Sequence, residues 1–425
     1  MAKQLRPSRD RGLIAAVDIG GSKAACVIAR LTPVFDGEVE PDIIGVGQHG
    51  GVCREKRLDI ESSLRAAVEA AERMAGERIR RVFVAVPGRS VGSRRIAVDL
   101  DTAGGIVTED DIEECLAQGA AAAAPDGSLP LSSSRIRFLV DGDPTEDPAG
   151  LAGGVLAAEM LGLSVRESYA ENVESLLGRC GLELDELIVG PAAAGDIVLI
   201  DDEKELGVIL IDIGAKSTDF ALYEKGALVA CGGVSVGGDH ITRDIAQIFG
   251  SPIAKAERIK TLFGSALSCA GDEHRFVDFP QLGDEGEIAR HSRAELAQVI
   301  APRFEEIIEL ALAALPQSLS ARRAIRRAVL TGGGSLLVGA RETAERIIGV
   351  KTRLGRPAAL SGAPETATAP QFAAAIGVIQ AAARKRMSPP RSAFGFGEPA
   401  GPGRATSRSI GGVFGNVGAW LKSNF

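Results

Sequence analysis

Two aspartates stand where this chain could handle phosphate. Asp18 lies in Ala16-Val17-Asp18-Ile19-Gly20-Gly21-Ser22-Lys23, and Asp212 in Leu210-Ile211-Asp212-Ile213-Gly214-Ala215-Lys216-Ser217-Thr218-Asp219-Phe220. In each, an apolar run that reads as a buried strand enters Asp-Ile-Gly, turns through small residues and leaves as a second strand. Turns of this kind let backbone amides approach phosphate oxygens that a β-carbon would hold off. Gly20, Gly21, Ser22 and Lys23 are the candidates on the first turn, and Gly214, Lys216 and Ser217 those on the second. If the two units face one another, Asp18 and Asp212 can hold a hydrated Mg²⁺ and orient water between them. Gly237, Gly238 and Asp239 at a predicted helix start, and Gly332, Gly333 and Gly334 after a predicted strand, offer further amides. One such cluster is an ordinary connection between elements; four in this order are specific.

Two familiar phosphate motifs are excluded by spacing. A Walker loop needs adjacent Gly-Lys, a glycine five residues before that Gly, and a helix after it. Here Ala215 separates Gly214 from Lys216, Ile209 stands at the first glycine's place, and a strand follows. A dinucleotide-binding fingerprint also requires a helix after its glycines, so it fails too.

These turns need a large scaffold, and the composition allows one. The chain has 425 residues, 45% of them hydrophobic, enough for about two to four domains with substantial cores. The net charge of −8 argues against a general nucleic-acid binder, so no nucleic-acid partner is expected. Cys26, Cys53, Cys115, Cys180, Cys231 and Cys269 show no metal-ligand spacing to one another or to the four histidines, and read as reduced packing thiols. The basic start leads into no signal-peptide core, and no run approaches the roughly 20 apolar residues of a membrane span; a cytoplasmic protein is expected.

Along the chain, the first strand-turn-strand unit covers residues 13–32, a helix is predicted over 60–81, and a strand over 82–87. Residues 84–165 change character. They contain strands at 95–100 and 135–140, and a helix start at Val107-Thr108-Glu109-Asp110-Asp111-Ile112 where Thr108 and Asp111 can cap each other. This block reads as a small α+β insertion. A helix over 168–180 precedes the second unit. Residues 250–324 read as mostly helical, and 339–348 and 372–383 as further helices. From 384 to 408, Pro, Gly, Ser and Arg dominate, which suits a disordered basic linker.

With these features assembled, the sequence resembles the actin, sugar-kinase and heat-shock ATPase superfamily, in which two related halves present phosphate hairpins to a nucleotide. Within it, the chain is similar to the FtsA family of bacterial cell-division proteins over nearly its whole length. The motifs of the insertion, including Asp147-Pro148-Ala149-Gly150-Leu151, carry that resemblance. So do Gly237-Gly238-Asp239-His240-Ile241-Thr242 with Ala256-Glu257-Arg258-Ile259-Lys260, the run Leu330-Thr331-Gly332-Gly333-Gly334-Ser335, and the tail.

The resemblance implies a two-lobed α/β fold of actin type, with Glu257, Lys260 and the Gly332–Gly334 loop near an adenosine. By its subdomain names, 1A would comprise residues 12–83, 166–206 and 372–386, and the inserted 1C residues 84–165. Residues 207–245 and 325–371 would form 2A and residues 246–324 would form 2B, followed by a linker over 387–408 and a membrane-targeting helix over 409–425. It also implies ATP with Mg²⁺ and at most weak hydrolysis, self-assembly into a polymer, later division proteins as partners, and a location on the cytoplasmic face of the membrane at the division site. The C-terminal tail of the tubulin-like protein FtsZ would dock near Arg303, although a solvated helical face explains that arginine equally well. One departure bears on the site: the family carries more glycine where Ala215 and Lys216 stand. Lys216 could neutralise a phosphate, or its side chain could narrow the pocket.

Phe414, Val417, Leu421 and Phe425 recur at three- and four-residue steps with Trp420 beside them, one apolar stripe on a short helix. It could dock on the protein's own core or lie in a membrane interface, with Trp420 at headgroup level and Lys422 drawn to anionic lipid; the linker before it favours the membrane. Burying these side chains is worth roughly 10 kcal/mol gross, much of it offset by ordering. One copy should bind reversibly and a polymer tightly. A small-molecule kinase of the same superfamily has no use for such a helix, and a pilus-assembly relative lacks it.

Overall fold

The computed structural model describes residues 12–33, 39–50, 57–102, 105–283, 286–316 and 323–387. The expected linker and membrane helix lie outside the described residues.

The first sheet is built from β1 (Leu13–Ile19), β2 (Lys23–Pro33), β3 (Val39–Gly50), β4 (Arg81–Val86) and β9 (Glu183–Val189), in the order β3-β2-β1-β4-β9. The second is built from β10 (Val208–Ile213), β11 (Thr218–Glu224), β12 (Ala227–Val234), β15 (Arg327–Thr331) and β16 (Thr352–Leu354), in the order β12-β11-β10-β15-β16. The two have the same plan. Each is an antiparallel meander of three strands whose first member pairs in parallel with a later strand. β1 and β10 sit in the middle of their sheets with apolar residues on both faces, and this is why both sequences read as continuous hydrophobic runs.

Helices cover the faces. In the first half, α1 (Arg57–Ala75) and α3 (Glu167–Arg179) enclose a core with Val17, Val27-adjacent Cys26 and Ile28, Leu64, Val84 and Leu177. Between the halves, α4 (Gly190–Val198) and α10 (Ala373–Met387) fill one shared core in which Ile14, Leu210, Phe372 and Ile376 meet. On the far side of the second sheet, α6 (Gly238–Ile248), α7 (Ile253–Phe263), α8 (Arg293–Ala313) and α9 (Ala340–Ile348) bury Ile211, Phe279 and Phe304. A short α5 (Asp201–Leu206) leads into β10; its Glu203 takes a two-pronged ion pair from Arg353 at 2.7 and 2.6 Å.

Residues 84–165 hold most of a separate four-stranded antiparallel sheet, order β5-β8-β6-β7, from β5 (Val91–Asp101), β6 (Ser128–Val140), β7 (Asp143–Thr145) and β8 (Val155–Arg166). α2 (Glu109–Ala121) packs on it through Cys115 and Leu116. The expected cap is present: Asp111 N donates to Thr108 Oγ1 at 3.2 Å, and Thr108 N to Asp111 Oδ2 at 2.8 Å. This sheet also touches the second half, where Leu161 and Leu163 share a small core with Val189 and Cys231.

Two expectations are corrected. Residues 250–324 are helical in α7 and α8 but not between them, where β13 (Phe276–Pro280) and β14 (Ile288–Ser292) form a hairpin with Val277 and Phe279 buried and Phe276 and Asp278 exposed. α8 begins at Arg293, capped by Ser292, and runs through Pro302. The first helix ends at Ala75 rather than at 81, with Gly76 in the left-handed conformation after it. The described cysteines, Cys26, Cys115, Cys180, Cys231 and Cys269, are all unbridged.

Candidate functional site

The two Asp-Ile-Gly turns close their hairpins in the same way. Gly20 N donates to Lys23 O at 3.0 Å, and Gly214 N to Ser217 O at 2.9 Å. Because the second hairpin is regular, its register sets Asp212 opposite Asp219, one residue beyond the Ile213–Thr218 pair on either side of the turn. Asp18, Asp212 and Asp219 line one small cavity of about 80 Å³ between the halves, with Gly20, Gly21 and Gly214 at its rim and Arg89 and Pro191 in its wall.

This cavity concentrates negative charge. Burial pushes the Asp212 carboxyl up to about 8, helped by repulsion from Asp219 and Asp18 and opposed by Lys23. Burial raises Asp219 to about 6 against the pull of the Gly88 and Arg89 backbone N–H groups. Asp18 is raised by burial and held back by Lys23. Lys23 is itself lowered by burial, with Asp18 and Asp212 opposing that. Its Nζ donates to Gln371 O at 3.1 Å and lies 4.3 Å from the centre of the Phe372 ring, tying the first hairpin to the foot of α10. Asp219 Oδ1 is buried without a hydrogen-bond partner among the described residues. Three enclosed carboxyls facing Lys23 and Arg89, with an orphaned oxygen among them, fit a further cation better than they fit each other. No three Asp, Glu, His or Cys side chains among the described residues are placed to ligate one ion directly. Asp18 and Asp212 thus suit a cation held through water or phosphate.

The remaining candidates gather on the second half. Gly238 N donates to Gly214 O at 2.9 Å and Asp239 N to Ala215 O at 2.8 Å. These two amides, expected to be offered to phosphate, instead bind the second turn to the start of α6. Lys260 Nζ donates to Gly238 O at 3.0 Å, to Thr242 Oγ1 at 2.8 Å and to Glu257 Oε2 at 2.7 Å, so Glu257 and Lys260 meet beside Asp239. Gly332, with φ +79°, folds its loop over Asp212: a β-carbon there would stand 2.1 Å from Asp212 Oδ1. Gly334 packs on Ile213, while Gly333 and Ser22 are exposed. Lys216 lies across the seam between the halves, its stem against Gly21. Arg303 is some way from this site, on α8, where it pairs with Asp244 at 2.6 Å and with Glu306. It lines an open groove of about 760 Å³ with Phe249, His291, Glu295 and Pro302. Phe414, Val417, Trp420, Leu421, Lys422 and Phe425 lie outside the described residues.

Asp219, Gly88 and Arg89 were not among the residues singled out from sequence. Asp219 could have been found, since it stands as far beyond the four-residue turn as Asp212 stands before it; Gly88 and Arg89 reach the site only through packing.

Duplicated halves of identical strand order, each offering a hairpin turn and an aspartate to one central cavity, define the actin-like fold. Solved structures agree. The PilM-PilN type IV pilus biogenesis complex aligns over 88% of this chain and 99% of that chain, with a TM-score of 0.57 at 18% identity. MreB5 of Spiroplasma citri bound to ADP aligns over 89% and 98%, with a TM-score of 0.50 at 14% identity. Within that fold, the sequence is specific. It is 32% identical to the cell division protein FtsA of Rhizobium meliloti over 99% of this chain and 96% of that protein. The cell division protein FtsA of Pseudomonas aeruginosa is 31% identical over 97% of this chain and 98% of its own length. A model of the cell division protein FtsA family matches residues 209–377. The chain belongs to the FtsA family of cell-division proteins.

Proposed function

We propose that this chain is a nucleotide-binding, actin-like division protein that self-assembles on the cytoplasmic face of the membrane and anchors FtsZ there. The observation that carries the nucleotide reading is the facing pair of turns with Asp18, Asp212 and Asp219 around one electron-rich cavity, in a chain of this family. ATP and Mg²⁺ answer its charge: a hydrated Mg²⁺ would supply the positive charge that Asp18 and Asp212 lack. Gly20, Gly21, Ser22, Lys23, Gly214 and Ser217 would bind phosphate, and Glu257, Lys260 and the Gly332–Gly334 loop would face the nucleoside. The chain's role there is to bind and hold the two halves in one relation, and turnover is at most weak. The groove around Arg303 is the seat proposed for the FtsZ C-terminal tail, and the stripe from Phe414 to Phe425 is the proposed lipid anchor. In the described residues no helix is long and apolar enough to cross a membrane.

Co-sedimentation with anionic vesicles and FtsZ tests the whole reading. FtsZ should pellet with vesicles only when this protein is present, more so with ATP, and removal of residues 410–425 should abolish both effects. Vesicle binding that survives the removal overturns the anchor. Isothermal titration showing no ATP affinity with Mg²⁺ present overturns the nucleotide reading.

A further inference from the structure

The cavity between the halves is far below the roughly 300 Å³ at which small-molecule sites begin, so a nucleotide's phosphates cannot enter without movement. Beside it, the two turns that flank it touch. A β-carbon built on Gly21 would stand 2.6 Å from Lys216 Cγ, 2.7 Å from Lys216 Cβ and 2.8 Å from Lys216 N. The first turn therefore rests directly on the stem of a residue in the second turn. That second turn is not free to withdraw, since Gly214 O and Ala215 O are held by the amides of Gly238 and Asp239. The charge of Lys216 also reaches Asp239 at the start of α6, where, with Lys260, it opposes the burial that raises that carboxyl.

Resting on the nucleotide reading above, we infer that Lys216 competes with the nucleotide: its side-chain stem seals the two phosphate turns together, and a nucleoside polyphosphate binds only by displacing it. The stem acts here by contact, through Cβ and Cγ against Gly21. Chains with glycine at this place would lack the seal. Two methylenes, Cβ and Cγ, make the contact, and releasing them from it corresponds to about a tenfold change in an equilibrium constant.

The test is isothermal titration of ATP with Mg²⁺ into the full chain and its variants. Lys216→Gly should bind about tenfold more tightly than the parent, and Lys216→Met, which keeps the stem and loses the charge, should match the parent within about twofold. Lys216→Ala, which keeps one methylene, should fall between and serves if the glycine variant does not fold. Without nucleotide, Lys216→Gly should unfold at a lower temperature than the parent, and ATP should raise its midpoint by more than it raises the parent's. Equal affinities for Lys216→Gly and the parent overturn the inference while leaving the nucleotide reading intact. A methionine variant that binds as tightly as the glycine variant overturns it as well, since charge would then be the cause. If no variant binds ATP, the nucleotide reading fails and this inference falls with it.

Discussion

Replacing Asp212 by Asn should change how the protein's stability depends on pH. The Asp212 carboxyl is pushed up to about 8 when folded, against about 3.9 in an unfolded chain. The folded state therefore binds this proton more tightly than the unfolded state does. The contribution of Asp212 is fully present below about pH 4 and is lost as pH rises through about 8. Four units at about 1.4 kcal/mol each set an upper bound of about 5 kcal/mol, reduced because the carboxylates reach some water through the cavity. Between pH 5.5 and 8 the bound is about 3 kcal/mol. For a chain of 425 residues, that is about 3 °C in melting temperature. Asp219, raised to about 6, steepens the lower part of the decline. Scanning fluorimetry without nucleotide or divalent cation should show the parent losing about 3 °C over that interval, and Asp212→Asn losing much less and melting higher at pH 8. Equal slopes for the two proteins, or an Asn variant that melts lower throughout, would refute the argument that an uncompensated carboxylate is stored at this site.

Three further changes probe other parts of the molecule. Thr108→Ala removes the cap of α2 and should cost about 1 kcal/mol, seen as faster hydrogen exchange of the first-turn amides of that helix. Phe304→Ala empties a fully buried position in the second half and should cost about 3–5 kcal/mol in urea unfolding. Arg303→Glu places a third acid beside Asp244 and Glu306 and should weaken binding of an FtsZ C-terminal peptide at least about tenfold by fluorescence anisotropy; unchanged affinity would place the tail elsewhere.

The repeated unit is legible because its information is local. An apolar run, Asp-Ile-Gly and a second apolar run specify a strand, a turn and a strand whatever surrounds them, and β1–β2 and β10–β11 form accordingly. The β13–β14 hairpin is illegible for a related reason: Val277 and Phe279 alternate with Phe276 and Asp278 over only five positions, too short a run to outweigh the helical patterns on either side. The seal at Gly21 and the charge at Asp219 depend on something else. Lys216 reads equally as a phosphate ligand and as an obstruction until the two turns are brought into contact, and no spacing within the chain encodes that distance. Likewise Gly88 and Arg89, at the start of the inserted sheet, lie about 130 residues before Asp219 in sequence and press on it in space, where a β-carbon on Gly88 would stand 2.1 Å from Gly232 O. The insertion leaves the first half at a turn packed against a carboxylate of the second. Its attachment and the second phosphate hairpin thus meet at Asp219.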